Sequence, residues 1–258
     1  MNKDKIIDWI RHWYSVFVIL GIWELISHSD LVPRRLMPTL PEIGEAFWDA
    51  LVRGDLLFHS GATLARAFAG FFLALAAGIT LGALMARKRL VRDYIEPFFT
   101  FGYPVPKIAL YPIFIYVLGL GSGSKIALIF LECLYPITIY TYTGIRSVER
   151  TLIWAGQSMG ARERQIFWKV LIPSAGPTIF SGVRIALPVA LIVVIMTELI
   201  GESVGLGFFI TYAASLYDYA RSFAGLLAVV LMGFLLDRLL ITTRRHVFFW
   251  QSETVLLG

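Results

Sequence analysis

The sequence has little charge and a single cysteine. Only 16% of its 258 residues are Asp, Glu, Lys or Arg, against about a quarter in an ordinary soluble domain, and 57% are apolar. A soluble protein of this length needs enough charge to cover its surface, so this shortage argues against a water-soluble fold. Cys133 alone supports neither a disulfide framework nor a thiolate metal cluster. The composition therefore indicates a protein whose solvent is the lipid bilayer.

Residues arranged for enzyme chemistry are also missing from the sequence. The histidines show no metal-ligand spacing, and no Ser, His and Asp set predicts a nucleophile. The run Gly119–Ile126 resembles a phosphate loop, but Ser124 stands where a glycine must precede Lys125. The net charge of +5 is spread over short connectors, which does not suggest nucleic acid. We expect no catalytic site, no metal and no cofactor bound by this chain.

Long apolar runs, by contrast, are abundant. A helix needs about 20 residues to cross a bilayer, and six runs approach that length, at approximately 12–29, 64–86, 98–119, 125–145, 178–200 and 222–241. We predict an all-α, polytopic membrane protein with six transmembrane helices in a single domain over residues 1–258. The second run carries Gly70, Gly78 and Gly82, which let neighbouring helices approach closely.

Prolines interrupt the third run. Pro104, Pro106 and Pro112 lie within it, together with Lys107. Proline breaks or kinks a helix, and backbone groups freed inside a membrane must face protein or a water-filled path. Pro104, Pro106 and Lys107 are therefore candidates for the wall of a translocation path.

The Lys and Arg residues of the connectors predict the orientation, because cytoplasmic loops carry the excess of these residues. The basic set comprises Lys3, Lys5, Arg11, Arg87, Lys88, Arg89, Arg92, Arg146, Arg150, Arg162, Arg164, Lys169, Arg244 and Arg245. The alternate set comprises Arg34, Arg35, Arg53, Lys125 and Arg221, accompanied by acidic residues. Six spans with both termini in the cytoplasm satisfy every connector. In the first outer connector, the pattern from Met37 to Gly54 predicts a short interfacial helix.

The connector between the fourth and fifth runs is long and helical in pattern. We expect Ser147 to cap a helix through Gln157, Gly160 to allow a sharp turn, and a second helix to begin near Arg162. The second helix is amphipathic and should stop where Pro173 and Pro177 forbid continuation. Periodicity alone leaves two interpretations open, a docking element or a loop lying on the membrane surface.

The residues of this connector resemble the "EAA" loop of ATP-binding-cassette import permeases. The family pattern is Glu-Ala-Ala, three residues, Gly, nine residues and Ile-x-Leu-Pro. Here Trp154–Gly160, nine residues and Val170–Pro173 keep the spacing, with Ala155, Gly160 and Pro173 matching. Departures from the pattern occur at Trp154, Gly156, Val170 and Ile172.

The wider sequence is similar to permeases of the nitrate, sulfonate, taurine and bicarbonate importers. The similar segments are Pro38 to Pro41, Arg66 to Gly70, Tyr103 to Pro106, Gly182 to Arg184 and Gly205 to Phe208. The resemblance implies a permease in the bacterial inner membrane, paired with a second permease copy. It also implies two cytoplasmic ATPase subunits, which bind ATP and Mg, and an external solute-binding protein.

The resemblance further makes residues 147–173 the coupling loop, which would dock on the ATPase. The residues it assigns to ATPase coupling are Trp154, Ala155, Gly156, Gly160, Ala161, Arg162, Glu163, Arg164 and Pro173. From composition alone, an ion- or proton-coupled secondary transporter is the alternative function. A secondary transporter should show repeated halves, which we do not find in the sequence.

Charges inside the apolar runs are costly and should face protein or water. Glu198 and Glu202 are four residues apart, on one helix face if the helix continues, and are candidates for an exit gate. Hydrogen bonding around the following glycine turn is the competing interpretation. Arg184 is a candidate for offering charge to an anion, with helix–helix bonding as its alternative.

Overall fold

The computed structural model describes residues 3–29, 32–33 and 36–249, with side chains from Tyr14 onward. The side chains of Lys3, Lys5 and Arg11, and all of Arg34 and Arg35, lie outside the described residues, and the orientation of the chain in the membrane stays a prediction. No strand occurs in the described part of the chain. The predicted all-α fold class is confirmed.

The helices follow one another with short connections. They are α1 (Lys3–Ser27), α2 (Leu40–Val52), α3 (Asp55–Arg87), α4 (Arg89–Gly102), α5 (Tyr111–Leu118), α6 (Ser122–Arg146), α7 (Arg150–Ser158), α8 (Glu163–Ile166), α9 (Ile172–Glu198), α10 (Leu206–Ser215) and α11 (Tyr219–Val247). A 3₁₀ turn, Lys107–Leu110, precedes α5, and a π-helical turn, Phe167–Leu171, precedes α9.

Among the described residues, four helical segments are long and apolar enough to cross a membrane: α3, α6, Glu163–Glu198 and α11. The pair formed by α4 and the segment Lys107–Leu118 is bent by 92° and makes a fifth span if it counts as one. The first predicted span corresponds to α1, whose described apolar part is Tyr14–Ser27. The predicted runs therefore all fall on helices.

The chain forms two compact units, Met1–Gly61 with Ser203–Val230, and Ala62–Glu202 with Leu231–Gly258. In the first unit, Thr39 caps α2, because its hydroxyl accepts from the Glu42 N–H at 3.4 Å and the Glu42 carboxylate accepts from the Thr39 N–H at 2.9 Å. Glu24 in α1 accepts from the Leu40 N–H at 3.0 Å. The short helix predicted in this connector is confirmed.

In the second unit, α6 packs against both α3 and α9 through glycines. A β-carbon added at Gly78 would lie 2.8 Å from Ile137 Cγ2, and one added at Gly182 would lie 2.6 Å from Tyr140 Cβ. Such distances are shorter than van der Waals contact, so only glycine allows these helices to lie so close. The close packing predicted for the second span is confirmed.

The third span is broken, as its prolines predict, but its first helix begins earlier than expected. That helix, α4, starts at Arg89 and not near residue 98, and the break follows Gly102. Lys88 alone separates α3 from α4. The basic connector predicted here is therefore almost entirely helical.

Two predictions about the long connector are wrong. Ser147 does not cap the following helix, because its hydroxyl donates to the Gly144 carbonyl at 2.9 Å and closes α6. The helix also does not stop at Pro173 or Pro177, since Glu163–Glu198 runs without interruption. Pro173 lies in the first turn of α9, directly after the π turn, where a wider helical turn accommodates the ring and the missing N–H.

Candidate functional site

The elbow of the long connector is a Schellman turn centred on Gly160. The Ala161 N–H donates to the Gly156 carbonyl at 3.1 Å, and the Gly160 N–H donates to the Gln157 carbonyl at 2.9 Å. Gly160 has φ +76, which lies in the left-handed region where a residue with a side chain is strained. The predicted sharp turn is confirmed, and backbone conformation explains it, because no atom lies within 4 Å of an added β-carbon.

The two helices beside the elbow pack on each other. A β-carbon at Gly156 would lie 3.5 Å from Ile166 Cγ1 and 3.8 Å from Val170 Cγ2, which is ordinary contact. Ile166 and Phe167 are buried beneath α7 and the end of α6. Gly156 therefore serves the packing inside the elbow, and the outer face of α7 is left uncovered.

The outer face of the elbow combines exposed apolar and basic side chains. Trp154 is 58% exposed and Met159 is 86% exposed, and Ala155 next to Trp154 is also exposed. Arg162 and Arg164 are exposed after the turn, and Gln165 accepts from the Arg162 backbone N–H at 2.8 Å. An exposed tryptophan and methionine rimmed by arginines is typical of a protein interface.

The other predicted coupling residues lie away from that face. Glu163 lines a cavity together with basic side chains, and Pro173 lines an apolar groove along α3 and α9. Ala161 is half-buried within the Schellman turn. The structure thus separates the predicted set into an outer face, a packed turn and two cavity-lining residues.

Glu198 ends α9 and is almost fully buried, at 1% exposure. Arg66 Nη1 donates to its carboxylate at 2.7 Å, and the Thr63 hydroxyl donates to it at 2.8 Å. Glu202 lies 3.6 Å from Arg66 Nη2 and pairs with Lys125, whose side chain is fully buried. Two acids and two bases thus form one buried cluster.

This cluster changes the interpretation of Glu198 and Glu202. The four-residue spacing predicted that the two acids share a helix face if the helix continues. The helix stops at Glu198, so they do not. Each is matched by a basic side chain, and Lys125 also donates to the Leu120 carbonyl at 2.9 Å. The geometry favours structural hydrogen bonding at the end of α9, the competing interpretation from the sequence.

Lys107 lies at the break of the third span, directly after Pro104 and Pro106. It is 7% exposed, its Nζ lies 3.7 Å from Glu132, and it lies 4.2 Å from the centroid of the Tyr135 ring. An ammonium group over an aromatic face is stabilised by the ring quadrupole. The break in the helix thus holds a nearly buried cation beside one acid.

Arg184 is paired with Asp237 of α11 at 3.5 Å, and both side chains remain nearly half exposed. Sequence reasoning identified neither Arg66 nor Lys125 as a partner of Glu198 or Glu202. The signal that was present is the occurrence of acids and bases at the same ends of the runs, because an ionised group in a membrane needs a partner. Sequence separation hid these pairings.

The apolar spans, the broken span and the exposed two-helix elbow together define a class of protein, the polytopic membrane transport subunits. The family model described as "Binding-protein-dependent transport system inner membrane component" matches residues 78–241. The chain belongs to this family. It is the transmembrane subunit of an ATP-binding-cassette importer. This family membership excludes the alternative function, a secondary transporter.

Three relatives place the similarity over nearly the whole chain. A putative aliphatic sulfonates transport permease of Bacillus subtilis is 30% identical over 95% of this chain and 89% of its own length. The taurine transport system permease of Escherichia coli is 31% identical over 93% and 89%. The nitrate import permease of Leptolyngbya laminosa is 28% identical over 87% and 82%.

The fold is also found in a solved transporter. A chain of the inward-facing MetNI methionine ABC transporter superimposes with a TM-score of 0.60 at 22% identity, over 72% of this chain and 92% of that chain. Family membership places the chain in the inner membrane. It also implies ATP-binding subunits and a solute-binding protein as partners.

Proposed function

We propose that this chain forms the translocation path for a small anion, of the class of nitrate, a sulfonate such as taurine, or bicarbonate. The observation that carries this proposal is Lys107, a nearly buried cation at the break of the third span. A cation inside a pathway attracts anions, and Glu132, its one acidic neighbour among the described residues, leaves the ammonium able to exchange partners. The relatives named for sulfonates, taurine and nitrate support the same class.

The ATP and Mg are bound by the partner ATPase, and this chain has no ATPase activity and no cofactor of its own. The ATPase docks on residues 147–173, with Trp154 and Met159 as apolar anchors and Arg162 and Arg164 at the rim. Glu163–Glu198 is one uninterrupted helix, so a displacement of the elbow is carried directly into a span. Closure of the ATPase then shifts the spans between two states through its differential binding.

Two copies of the chain make the pathway, and both termini face the cytoplasm. The second copy is supported by membership of the importer family, and each copy presents one elbow to one ATPase subunit. The orientation follows from the excess of basic residues in the connectors on one side.

The docking proposal is tested by co-purification with the cognate ATP-binding subunit. The double change Arg162→Glu and Arg164→Glu should remove the ATPase from the purified complex, whereas Arg89→Glu should not. Arg89 is a matched control, because it is also exposed and basic but pairs with Asp93 in α4. Retention of the ATPase by the double variant overturns the docking surface.

The substrate class is tested in proteoliposomes that contain the permease, the ATPase and the binding protein. Uptake of a labelled anion should need ATP inside the vesicle and should compete with other anions of the same charge. Flux of equal rate without ATP, driven by a proton or sodium gradient, would contradict the importer mechanism. Native mass spectrometry of the same complex should show two permease copies.

The orientation is tested by labelling with a membrane-impermeant maleimide. Cys133 is buried and is the only cysteine, so the labelling of an introduced cysteine can be measured without replacing Cys133. Ser158→Cys in α7 should be labelled only from the cytoplasmic side, and Ser215→Cys at the end of α10 only from the outside. Both positions are exposed. Labelling of both from one side contradicts the predicted topology.

A further inference from the structure

Two neighbouring cavities in the second unit share one residue, Arg87, at the end of α3. The first is an apolar groove of about 670 Å³ along α3 and α9, and the second is a pocket of about 410 Å³ between the ends of α3 and α6 and the start of α7. Both volumes fall within the range of ligand sites, about 300–1,000 Å³. Arg87 lines both cavities, so a molecule that fills both must pass this guanidinium.

The groove offers almost only apolar surface. Ile79, Leu84, Phe180 and Val183 are among its lining residues. Arg87 lies at its rim, with its guanidinium 4.6 Å from the centroid of the Phe167 ring. The groove runs along helices that are long and apolar enough to span the membrane. Such a groove suits a hydrocarbon chain and excludes a polar solute.

The second pocket is strongly basic. Arg87, Lys88, Arg146 and Arg150 line it, and Glu163 is its one acidic residue. Within the described part of the chain, no carboxylate lies within 4 Å of these four basic side chains, and Arg146 instead donates to the Tyr142 hydroxyl at 2.7 Å. The pocket also adjoins the start of α7, which has no side-chain cap. Basic side chains and an uncapped helix start together favour a phosphate group.

A purely structural explanation accounts for only part of this arrangement. Arg87 and Arg146 lie in the last turns of α3 and α6, where a cation complements the helix dipole. Arg150 lies in the first turn of α7, where the same dipole opposes a cation. The dipoles therefore do not explain why Arg150 joins the cluster, and they do not explain the adjoining groove.

We propose that the two cavities bind one anionic phospholipid of the cytoplasmic leaflet, with an acyl chain in the groove and the phosphate in the basic pocket. The basic connectors place this end of α3 on the predicted cytoplasmic side, where anionic lipids are held by basic pockets between helices. The headgroup then lies between α3 and the two helices of the elbow. This site is separate from the proposed anion path and does not depend on which solute is transported.

The test uses the purified permease in native mass spectrometry, with phosphatidylglycerol and phosphatidylcholine as probes. The wild-type chain should retain phosphatidylglycerol about tenfold more than phosphatidylcholine, because the basic pocket attracts a net negative headgroup and repels the cationic choline. The double variant Arg87→Gln and Arg150→Gln should lose this preference. Arg89→Gln, an exposed arginine outside both cavities, should keep it. Equal retention of both lipids by the wild-type chain overturns the proposal.

A second variant tests the groove independently of charge. Thr80 lines the groove and is exposed, so Thr80→Trp fills the space with little effect on the core. This variant should also lose phosphatidylglycerol by about tenfold while remaining monodisperse. Unchanged lipid retention overturns the acyl-chain part of the proposal.

Two further measurements separate the lipid from other occupants. Displacement of phosphatidylglycerol should require another anionic lipid, and displacement by millimolar inorganic phosphate would show a free-phosphate site instead. Thr80→Cys should not cross-link two copies, whereas an efficient cross-link would show that a second copy covers the groove. Lipid retention is measured without ATP or substrate, so it fails or succeeds independently of the transport experiments.

Discussion

Arg66 of α3 and Glu198 of α9 form a buried ion pair, with Arg66 Nη1 2.7 Å from Glu198 Oε1. The two residues are 132 positions apart in sequence. Thr63 and Ser122 add polar contacts, since Thr63 donates to Glu198 and the Arg66 Nε donates to the Ser122 hydroxyl at 3.0 Å. The pair therefore joins the N-terminal part of α3, the start of α6 and the end of α9 within one unit.

Removal of one partner of this pair should destabilise the protein strongly. Glu198→Met removes the carboxylate closest to Arg66, while Glu202 lies 3.6 Å away, and a broken buried pair costs about 3–5 kcal/mol. Arg66→Met combined with Glu198→Met should cost less than either single change, because no unpaired charge remains. The measurement is thermal unfolding in detergent, as a double-mutant cycle. Asp49→Ala breaks the exposed pair with Arg53 and should have little effect.

Gly82→Ala should destabilise the packing of α3 on α6. The added β-carbon would lie 2.6 Å from Thr141 Cβ and 2.7 Å from the Thr138 carbonyl oxygen, and backbone cannot move aside cheaply. Overpacking of this kind costs about 1–3 kcal/mol. Gly233→Ala in α11 is the matched control, because no atom lies within 4 Å of its added β-carbon. Equal thermal stability of the two variants would argue against close packing of these helices.

Gly160→Val should leave the protein inserted but uncoupled from ATP hydrolysis. The left-handed conformation at φ +76 costs an ordinary residue about 1–2 kcal/mol, so the elbow should shift its orientation. Gly160→Asn should retain more activity, because asparagine tolerates this conformation. The readouts are uptake and ATPase activity in the same proteoliposomes. Wild-type transport by the valine variant would falsify the role given to the elbow.

Lys107→Met should lower anion uptake by about tenfold, which corresponds to about 1.4 kcal/mol in the barrier. The methionine keeps most of the volume at this nearly buried position but removes the charge beside Glu132. The double variant Lys107→Met and Glu132→Gln separates the loss of the cation from the effect of leaving Glu132 unpaired, since it leaves no unpaired acid. If the double variant recovers wild-type uptake, Lys107 serves stability and not the path.

The elbow shows which parts of the site could be predicted. The turn at Gly160 was predictable, because a glycine between two amphipathic patterns has few other uses. The continuous helix through Pro173 was not, because a π turn relieves the proline and leaves no residue-type signal. Gly156 departs from the family motif, which has alanine at this position, and a β-carbon added there would lie in ordinary contact with Ile166 inside the elbow.

The sequence by itself determined the all-α membrane fold, the approximate helices, the broken third span and the family. The fold class, the helices and the break follow from composition, run length and proline position, which act along the chain and over short distances, and the family follows from the resemblance of its motifs. Only the tertiary structure decided that Glu198 and Glu202 are neutralised by Arg66 and Lys125, and that Arg87 joins a groove to a basic pocket. Charge pairing inside a membrane depends on which helices lie side by side, and residues far apart in sequence carry no local signal of that contact.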